Sequence, residues 1–431
     1  MSTTSRRDFL RTSAGVAAAL TVPVDELLAD PRPVPRALPH TPLRPDEPVR
    51  IGVIGTGGMG TGHLESFVTA AKEGRANVKV VALADVCQPR LMEARKKAEA
   101  VQGPGIDTYT HYSDLLARKD IQGVLIASPE HWHARMAEDA ILAGKDVYVE
   151  KPMTLRLKDA LRLRRVVEEN PTAIAIVGTQ FVMSPSTVEA KKLIAEGTIG
   201  KAVWSQTSYC RNSKDGEWLY YGIDPAWQPG VNLDWDAWCG PLGKAPWDAA
   251  VYARWRRYRR YSTGIIGDLL VHKITPLLFA MDLGWPTRVV AAGGHYVDKV
   301  MENHDQVNLT IQFEKEHTMI VAGSTANERG LETLIRGHKA NLYLDGRTTK
   351  LVPEQLFANE VDEQTVTGED HGDDQDALRL RWLECIRTRE PSPSPVDLGA
   401  KVMVIVDLAT RSMWEGGAFE FDPQSQKVRK L

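Results

Sequence analysis

Three side chains have the types and the spacing that acid–base chemistry at a substrate oxygen requires. Lys151 lies two residues after a short, mostly apolar run over residues 146–149, which is typical of a buried parallel strand. Asp268 and His272 lie four residues apart, so on a helix both side chains would point from one face. That spacing is also typical of a polar pair that only stabilises local structure. Because an imidazole exchanges a proton near neutral pH, we predict His272 as the general acid or base, with Asp268 orienting it or holding the substrate.

A glycine-rich loop between a predicted strand and a predicted helix indicates a dinucleotide site. The β-branched run over residues 49–54 leads into Gly55, and an amphipathic segment follows over residues 61–72. Gly55 permits a tight turn, Gly57 lets the backbone approach a pyrophosphate, and Gly60 lets the helix pack closely on the strand. The diphosphate is expected at the helix N-terminus, where free N–H groups and the helix dipole favour an anion. The residues of this loop predicted to bind the cofactor are Gly55, Gly57, Gly58, Met59 and Gly60.

An acidic residue after the second predicted strand favours NAD over NADP. Asp85 follows the run over residues 78–84, near the distance expected for the carboxylate that holds the adenosine ribose hydroxyls. A carboxylate there would repel a 2′-phosphate. Arg90 lies close by and could accept that phosphate, so NADP stays an alternative.

The strand and helix patterns continue with the alternation of an α/β fold. Residues 124–127 have the composition of another buried strand, and residues 133–143 have the pattern of a helix that ends at Gly144. Residues 146–149 form the next predicted strand. This alternation predicts a doubly wound parallel sheet of the Rossmann type.

Several motifs together resemble the Gfo/Idh/MocA family of oxidoreductases. The glycine loop is followed by Ser128-Pro129, by His131 and His133, and after the next strand by Glu150-Lys151-Pro152. Exported members with a Trp-rich region form the subgroup that this chain resembles. The resemblance continues through residues 187–200, 235–241, Trp255, 264–272 and 378–395.

The resemblance implies a two-domain architecture. A Rossmann domain over residues 49–179 would bind NAD(P), and an α/β domain over residues 180–431 would carry an open-faced, mostly antiparallel sheet. In the family this sheet often forms subunit contacts, which implies a homodimer or homotetramer. Most members oxidise or reduce sugars, inositols or their derivatives, so the implied substrate is a small carbohydrate.

The resemblance also implies roles for single residues. Lys151 would hydrogen-bond the reacting oxygen, and His131 and His133 would lie beside the nicotinamide, although His133 equally suits a helix start. Gln180 would lie at the domain boundary, within reach of the substrate. Family members often carry an Asp three residues after the catalytic histidine, where this chain has Thr275, so its substrate hydroxyl pattern is expected to differ. The implied cofactor residues outside the glycine loop are Asp85, Ser128, Pro129, His131, His133, Glu150, Lys151 and Gln180.

Candidate substrate residues lie in two later segments. Tyr209 and Arg211 follow the opening strand of the second domain, and Tyr261 ends a run of arginines and aromatic side chains over residues 254–261. That run suits a wall for a sugar ring, a clamp for an anionic group, or a solvated or subunit-facing surface. The formal net charge of −3 supplies no basic field, so no nucleic-acid partner is expected.

The cysteines and histidines predict no metal site. The four cysteines, Cys87, Cys210, Cys239 and Cys385, are widely scattered and lack the spacing of a zinc site or a CxxC motif. A disulfide stays open if the protein is exported, but the sequence does not choose a pair.

The N-terminus has the pattern of an export signal. Arg6-Arg7 precedes Phe9-Leu10 and a short apolar stretch over residues 14–22, which resembles a twin-arginine signal and is too short to span a membrane in the mature chain. We therefore predict a signal over residues 1–30, a proline-rich extended spacer over residues 31–48, and a periplasmic or secreted protein. A retained signal that acts as a membrane tether, and a cytoplasmic dehydrogenase with a chance Arg-Arg, are the alternatives.

Export constrains the expected reaction. Outside the cytoplasm little free NAD is available, so an exported enzyme must hold its dinucleotide tightly and regenerate it in place. Two schemes do this: a dehydrogenase that oxidises one sugar and reduces a second substrate, and a redox-neutral glycosidase that oxidises, eliminates and reduces in turn. The elimination needs an additional base, for which Tyr209, His272 or another residue of the segment 209–227 are candidates, and the sequence does not choose among them. A binding protein that keeps NAD and senses a sugar is the alternative outside enzymes, and intact Lys151, Asp268 and His272 argue against it.

Overall fold

The computed structural model describes residues 32–431, so the predicted signal over residues 1–30 lies outside the described residues. Residues 32–48, predicted as an extended spacer, carry no helix or strand but pack along the first domain. The Leu38 N–H donates to the Leu142 carbonyl at 2.9 Å, and the Ala37 N–H donates to Asn170 Oδ1 at 2.8 Å. The proline-rich composition therefore gives an extended strap that lies on the domain surface.

The first domain alternates strands and helices, as the sequence predicts. Its strands are rich in Val, Ile and Ala, which suits burial on both faces of a sheet. The strands are β1 (Val49–Ile54), β2 (Val78–Ala84), β3 (Asp107–Tyr109), β4 (Gly123–Ile126), β5 (Asp146–Val149) and β6 (Ala175–Val177). The helices are α1 (Gly58–Lys72), α2 (Gln88–Gln102), α3 (Tyr112–Leu116), α4 (Glu130–Leu142) and α5 (Leu157–Glu169).

The six strands form one parallel sheet in the order β3-β2-β1-β4-β5-β6. This is the Rossmann order, in which the carboxyl ends of the strands meet at one edge and the strand order reverses beside β1. The Rossmann fold predicted from the sequence is confirmed. Helix α4 begins at Glu130, three residues before the predicted start, because Pro129 takes the N-cap position and Glu130 suits a first turn.

The second domain is built on one larger sheet. Its strands are β7 (Ala202–Cys210), β8 (Pro286–Gly294), β9 (Gln306–Phe313), β10 (His317–Ser324), β11 (Thr333–Gly337), β12 (Ala340–Asp345), β13 (Thr348–Pro353), β14 (Gln364–Thr367), β15 (Ala418–Asp422) and β16 (Lys427–Lys430). Its helices are α6 (Pro185–Ala195), α7 (Trp235–Cys239), α8 (Ala249–Ala253), α9 (Val271–Met281), α10 (Asp374–Thr388) and α11 (Val396–Glu415).

The ten strands are ordered β14-β13-β12-β11-β7-β10-β9-β8-β15-β16. Neighbours are antiparallel except for β7 and β10, which run parallel. Along β9 every second side chain is buried and the alternate ones are exposed, so one face packs on helices and the other is open. The open-faced, mostly antiparallel sheet implied by the family resemblance is confirmed.

The two domains share one continuous apolar core. Trp382 of α10 is fully buried against the first domain, with its ring centroid 6.0 Å from that of Phe67 and 5.8 Å from that of Tyr148. A Cβ at Gly123 would lie 2.9 Å from the Trp382 ring, so a larger residue would push the helix off β4. The C-terminal helices thus hold the second domain against the first sheet.

A π-helical turn, Ile266–Leu270, precedes α9 in the second domain. Its hydrogen bonds span five residues in place of four, which rotates the side chains before it relative to those after it. Asp268 lies in this turn and His272 lies in α9. The two residues predicted to share one face of a helix are therefore turned toward different neighbours.

No helix over residues 32–431 combines the length and the apolar composition that crossing a bilayer requires. All four cysteines lie within this range, and each carries a free thiol. Cys87, Cys239 and Cys385 are buried.

Candidate active site

A cavity of about 580 Å³ lies at the carboxyl ends of β1, β2, β4 and β5. Ligands of doubly wound sheets bind at this edge, and the volume is typical of small-molecule sites. The second domain closes the cavity on the side opposite the glycine loop. The predicted residues that line it are Gly55, Gly57, Gly58, Met59, Asp85, Ser128, Pro129, His133, Glu150 and Lys151.

The glycine loop has the shape that a dinucleotide requires. Gly55 has a φ of +86°, and a Cβ there would lie 2.6 Å from the Ser128 nitrogen. A Cβ at Gly60 would lie 1.8 Å from the Gly55 oxygen, so only glycine allows α1 to meet β1 this closely. Gly57 is the N-cap of α1 and offers no side-chain cap. The first N–H groups of the helix are thus available to a pyrophosphate, and the loop fits the cofactor.

Asp85 lies directly after β2 and is hydrogen-bonded to the glycine loop, on the side where the adenosine group is expected. Its Oδ2 accepts hydrogen bonds from the Thr56 nitrogen at 2.6 Å and the Thr56 hydroxyl at 3.0 Å, and its Oδ1 accepts from the Cys87 nitrogen at 2.8 Å. The carboxylate also lines the cavity, as a ligand of ribose hydroxyls must. Asp85 therefore joins the glycine loop to the turn after β2.

A buried ion-pair cluster lies at the other end of the cavity. Lys151 Nζ donates to Asp268 Oδ1 at 2.9 Å and to the Asp268 carbonyl oxygen at 3.0 Å. Arg256 Nε donates to the same Oδ1 at 2.8 Å. Burial alone would raise the pKa of Asp268, but the charges of Arg256 and Lys151 outweigh it and hold the pKa well below its usual range. The cluster therefore carries two cations and one carboxylate, and it presents net positive charge to a substrate oxygen.

His272 lies beyond this cluster, and no hydrogen bond within residues 32–431 joins it to Asp268. Its Nδ1 is buried without a hydrogen-bond partner among the described residues. Its ring packs between those of Phe181 and Tyr209, at centroid distances of 5.8 and 5.9 Å. Burial and the charge of Lys151 lower the pKa of His272 to about 3. The imidazole is therefore neutral at physiological pH, and it can accept a proton or a hydrogen bond.

The two predicted substrate residues Tyr209 and Arg211 extend the site past His272. Arg211 Nη2 donates to the Tyr209 hydroxyl at 2.9 Å, and its Nη1 donates to Glu217 Oε1, also at 2.9 Å. Glu217 is almost fully buried and also accepts a hydrogen bond from the Tyr220 hydroxyl at 3.0 Å. The result is a polar wall of fixed side chains of the kind that can bind hydroxyl groups.

Glu150 is held by a chain of buried polar groups that ends at α10. His63 Nε2 lies 2.8 Å from Glu150 Oε1, and Arg379 Nη1 lies 3.1 Å from His63 Nδ1. Because arginine can only donate, Nδ1 is the acceptor, so the His63 proton is on Nε2 and points at Glu150. Burial would raise the pKa of Glu150, but the hydrogen bond from His63 and the charge of Lys151 lower it overall. Glu150 is therefore a fixed anion directly before Lys151.

Glu130 is a further carboxyl group near the cluster. It is 1% exposed, and neither of its oxygens has a hydrogen-bond partner among the described residues. Burial, together with the charge of Asp268, raises the pKa of Glu130 to about 8. This carboxyl group is therefore mostly protonated at neutral pH.

The predicted site residues that do not line the cavity are Gly60, His131, Gln180, Tyr209, Arg211, Tyr261, Asp268 and His272. His131 was expected beside the nicotinamide, but its buried ring bonds the Trp238 carbonyl oxygen at 2.8 Å. Tyr261 was expected to reach a substrate, but it is only 3% exposed and packs against His131 and Trp238. Both are held by the aromatic core of the second domain. Gln180 begins the 3₁₀ turn Gln180–Met183 at the domain boundary, with its Oε1 buried and unpartnered among the described residues.

His133 lines the cavity but does not begin α4. Its Nδ1 and Nε2 lie 2.7 Å from the carbonyl oxygens of Pro152 and Ser128. It thereby links the turn after β4 to the segment that carries Lys151.

Sequence reasoning missed several residues of the site. Arg256 was part of the run over residues 254–261, but nothing in the run singled it out. His63 and Arg379 support Glu150 from helices that are 316 residues apart, which no local pattern reveals. The cavity residues not predicted individually include Val86, Thr110, Trp132, Trp238, Tyr252, Trp255 and Arg256.

Comparison with protein families gives three matches. Residues 49–179 match the model described as oxidoreductase family, NAD-binding Rossmann fold, of the Gfo/Idh/MocA group. Residues 243–421 match the model of that group's C-terminal α/β domain. Residues 3–23 match the twin-arginine translocation signal sequence, which indicates export by that route.

Curated relatives include dehydrogenases and glycosidases. The chain is 31% identical to inositol 2-dehydrogenase 1 of Saccharopolyspora erythraea, over 36% of this chain and 44% of the relative. It is also 31% identical to a glycosyl hydrolase family 109 protein of Streptomyces niveus, over 37% of each chain. The chain thus spans less than half of the length of these curated relatives.

Solved structures share the fold over the whole of their length. Levoglucosan dehydrogenase in complex with NADH superposes with a TM-score of 0.66 at 19% identity, covering 87% of this chain and 99% of that one. An oxidoreductase domain protein from Kribbella flavida superposes with a TM-score of 0.68 at 18% identity, with the same coverage. At this level of identity the likeness establishes the two-domain fold.

Proposed function

This chain belongs to the Gfo/Idh/MocA family of NAD-binding oxidoreductases, and on that premise we propose that it is an exported enzyme acting on carbohydrates. It would transfer a hydride between a tightly held nicotinamide and a hydroxyl or carbonyl carbon of a sugar or sugar derivative. The observation that carries this proposal is the Lys151–Asp268 ion pair at the far end of the dinucleotide cavity. The relatives named as inositol dehydrogenases support a polyol-like substrate.

The cluster has the charge that alcohol oxidation needs. When bound, the dinucleotide supplies the acceptor for the hydride that leaves the carbinol carbon with both C–H electrons, or it returns that hydride to a carbonyl carbon. The Lys151 ammonium hydrogen-bonds the reacting oxygen and stabilises the negative charge that develops on it. Asp268 fixes the direction of that ammonium, and Arg256 fixes Asp268. These buried groups are oriented before a substrate arrives.

His272 is the proposed acceptor of the hydroxyl proton. Burial and Lys151 keep the imidazole neutral, which leaves a lone pair available. In the reductive direction the same nitrogen returns the proton to the alkoxide oxygen. Tyr209 and Arg211 are the proposed contacts for neighbouring hydroxyl groups, since they lie directly beyond the His272 ring.

NAD is the proposed form of the cofactor. Asp85 lies at the edge of the cavity and its carboxylate would repel a 2′-phosphate. The periplasm or the extracellular medium is the proposed location, since the N-terminus matches the twin-arginine signal. Fractionation tests this point, because protein found only in the cytoplasm would remove the need to regenerate the cofactor in place.

A redox-neutral glycosidase is the second candidate. Two observations favour it: the match to glycosyl hydrolase family 109 proteins, and the Tyr209 hydroxyl held by Arg211 beside His272. In this scheme transient oxidation acidifies the neighbouring C–H, and the Tyr209 phenolate, stabilised by Arg211, takes that proton while the glycosidic oxygen leaves with the electron pair of its C–O bond. The double bond then accepts water and the hydride returns, so no net oxidation occurs.

One experiment separates these functions. The protein is purified without added cofactor, the absorbance band of reduced nicotinamide is recorded, and free sugars and aryl glycosides are added in turn. A band that appears with a free sugar and disappears with a second carbonyl compound supports the dehydrogenase. Release of the aryl alcohol without lasting reduction supports the glycosidase. A protein that binds no dinucleotide at all overturns both.

A further inference from the structure

A Trp-rich segment of the second domain forms the outer wall of the dinucleotide cavity. We call residues 226–255 the clasp; it contains α7, the 3₁₀ turn Gly240–Leu242 and α8. Ala237, Trp238, Tyr252 and Ala253 of the clasp line the cavity opposite the glycine loop. The cavity is thus bounded by the Rossmann domain on one side and by the clasp on the other.

The clasp is attached to the Rossmann domain at the adenosine end of the cavity. Its backbone pairs with the three residues that follow Asp85. The Asp234 N–H donates to the Val86 carbonyl at 3.0 Å, and the Gln88 N–H donates to the Asn232 carbonyl at 2.9 Å. Between them, Cys87 and Leu233 face each other as an antiparallel bridge pair. The turn that carries the ribose-binding Asp85 is therefore closed by a two-stranded contact.

The clasp is attached a second time through Trp238. The carbonyl oxygen of Trp238 accepts hydrogen bonds from His131 Nε2 at 2.8 Å and from Trp132 Nε1 at 2.9 Å. Trp238 stacks on Trp235 at a centroid distance of 4.7 Å, inside a buried aromatic cluster that also includes Tyr252. Rigid aromatic packing of this kind makes the clasp one unit. The clasp is therefore attached to the Rossmann domain at two places, to α4 and to the segment that follows β2.

A cation is held between the clasp and the glycine loop. The Arg90 guanidinium lies over the rings of Trp227 and Tyr252, at 4.7 and 4.9 Å from their centroids. A Cβ at Gly57 would lie 3.1 Å from Arg90 Nη1, so this guanidinium is close to the loop that receives the pyrophosphate. Arg90 also lines the cavity. Aromatic rings and a planar cation together suit an adenosine group and its phosphates.

We propose that the clasp binds the adenosine half of the dinucleotide and retains the dinucleotide through successive turnovers. The proposal rests on the dinucleotide-dependent function proposed above. Release then requires the clasp to lift, which breaks the pairing with residues 86–88 and the bonds to Trp238. The reduced cofactor is consequently reoxidised in place, by a second substrate of the carbonyl class or by the product of the first step.

A disulfide that locks the clasp tests this directly. Leu233→Cys places a thiol opposite native Cys87, and facing residues of an antiparallel pair have the Cα spacing that a disulfide accepts. The full chain is loaded with radiolabelled NAD, and loss of label into excess unlabelled NAD is followed by filtration. Oxidation of the variant is expected to slow exchange by about tenfold or more, and reduction to restore it. Leu233→Ser and the native protein are expected to exchange at the same rate with and without oxidant.

A second pair of variants covers the case in which the disulfide disturbs folding. Trp227→Leu removes one ring from Arg90 and is expected to speed the loss of label by about threefold. Trp285→Leu, a half-buried tryptophan that packs on Phe421 away from the cavity, is expected to leave the rate unchanged. If oxidised and reduced Leu233→Cys lose labelled NAD at the same rate, and Trp227→Leu loses it at the native rate, the proposal that the clasp retains the dinucleotide is overturned. The proposed function would still stand. Failure of the native protein to bind NAD would overturn the proposed function itself.

Discussion

Lys151 and Asp268 form a buried ion pair across the boundary between the two domains. The Nζ of Lys151 lies 2.9 Å from Oδ1 of Asp268, although 117 residues separate them. The side chains are only 7% and 6% exposed. Lys151 follows β5 of the Rossmann sheet and Asp268 lies in the π-helical turn before α9, so the proposed reacting end of the site is formed by both domains together. Removing Asp268 leaves Lys151 and Arg256 without their counter-ion, whereas removing Lys151 leaves Asp268 paired with Arg256 alone.

Lys151→Ala tests the charge that stabilises the reacting oxygen. The variant is expected to keep the dinucleotide, because the glycine loop and Asp85 are untouched. Turnover is expected to fall by about 10²–10³, the usual cost of removing one donor to a developing oxyanion. Reduction of the bound cofactor by the active sugar, followed by absorbance, is the measurement. Lys192→Ala, at an exposed lysine of α6, serves as the control. Full activity of Lys151→Ala would remove Lys151 from the mechanism.

Arg256 is predicted to act as a positioning residue through Asp268. Arg256→Met removes one of the two cations that lower the pKa of Asp268, so that pKa is expected to rise toward its ordinary value. Activity should then be lost at a higher pH on the acid side, with kcat reduced roughly tenfold at neutral pH. Arg256→Lys should restore part of the profile, because it keeps the charge.

The pH profile of kcat is the readout that separates this role from a structural one. Arg288→Met, on β8, is the matched control. If kcat of Arg256→Met falls at the same acidic pH as kcat of the native protein, Arg256 only supports the fold.

The Rossmann half of the site could be predicted because each of its signals is local. Gly55 and Gly60 follow a β-branched run, and Asp85 and Lys151 lie one and two residues after strands, so the sheet topology brings them to one edge. The start of α4 is less well predicted from the sequence. The pattern predicts a helix that begins at His133, whereas in the structure Pro129 is the N-cap and the helix begins at Glu130.

The second half of the site depends on contacts that sequence spacing does not contain. Asp268 and His272 have the separation of an α-helical pair, but the π-helical turn directs Asp268 to Lys151 and leaves His272 against Tyr209. Tyr261 has the composition of a sugar-binding residue, yet the aromatic core buries it. In both cases tertiary packing decides which way a side chain faces.

Asp85→Ala is expected to weaken dinucleotide binding and to reduce the preference for NAD over NADP. The carboxylate is the proposed ligand of the ribose hydroxyls, and it also holds the Thr56 and Cys87 nitrogens. Loss of these charge-assisted bonds is expected to weaken binding by about tenfold or more. Titration with NAD and NADP is the measurement. Asp85→Asn keeps an acceptor without the charge, so it should lose the discrimination more than the affinity. Unchanged retention of NAD in Asp85→Ala would mean that the ribose is held elsewhere.

The buried carboxyl group of Glu130 is predicted to make the free energy of unfolding depend on pH. Glu130→Gln is predicted to remove this dependence. The pKa of this buried carboxyl is raised from 4.5 to about 8 in the folded protein. A raised pKa means that the folded state binds the proton more tightly than the unfolded state. The stabilising contribution is therefore fully present below pH 4.5 and is lost as the pH rises through about 8.

Unfolding by urea at a series of pH values measures this contribution. The free energy of unfolding of Glu130→Gln, minus that of the native protein, should be constant below pH 4.5. Between the two pKa values it should increase by about 1.4 kcal/mol per pH unit, because in this range folding of the native protein must protonate a carboxylate that is ionised in the unfolded chain. Glu93→Gln, at an exposed position on α2, should show no such slope. A difference that stays flat across the range would mean that Glu130 ionises normally in the fold, and that burial does not keep its proton in place.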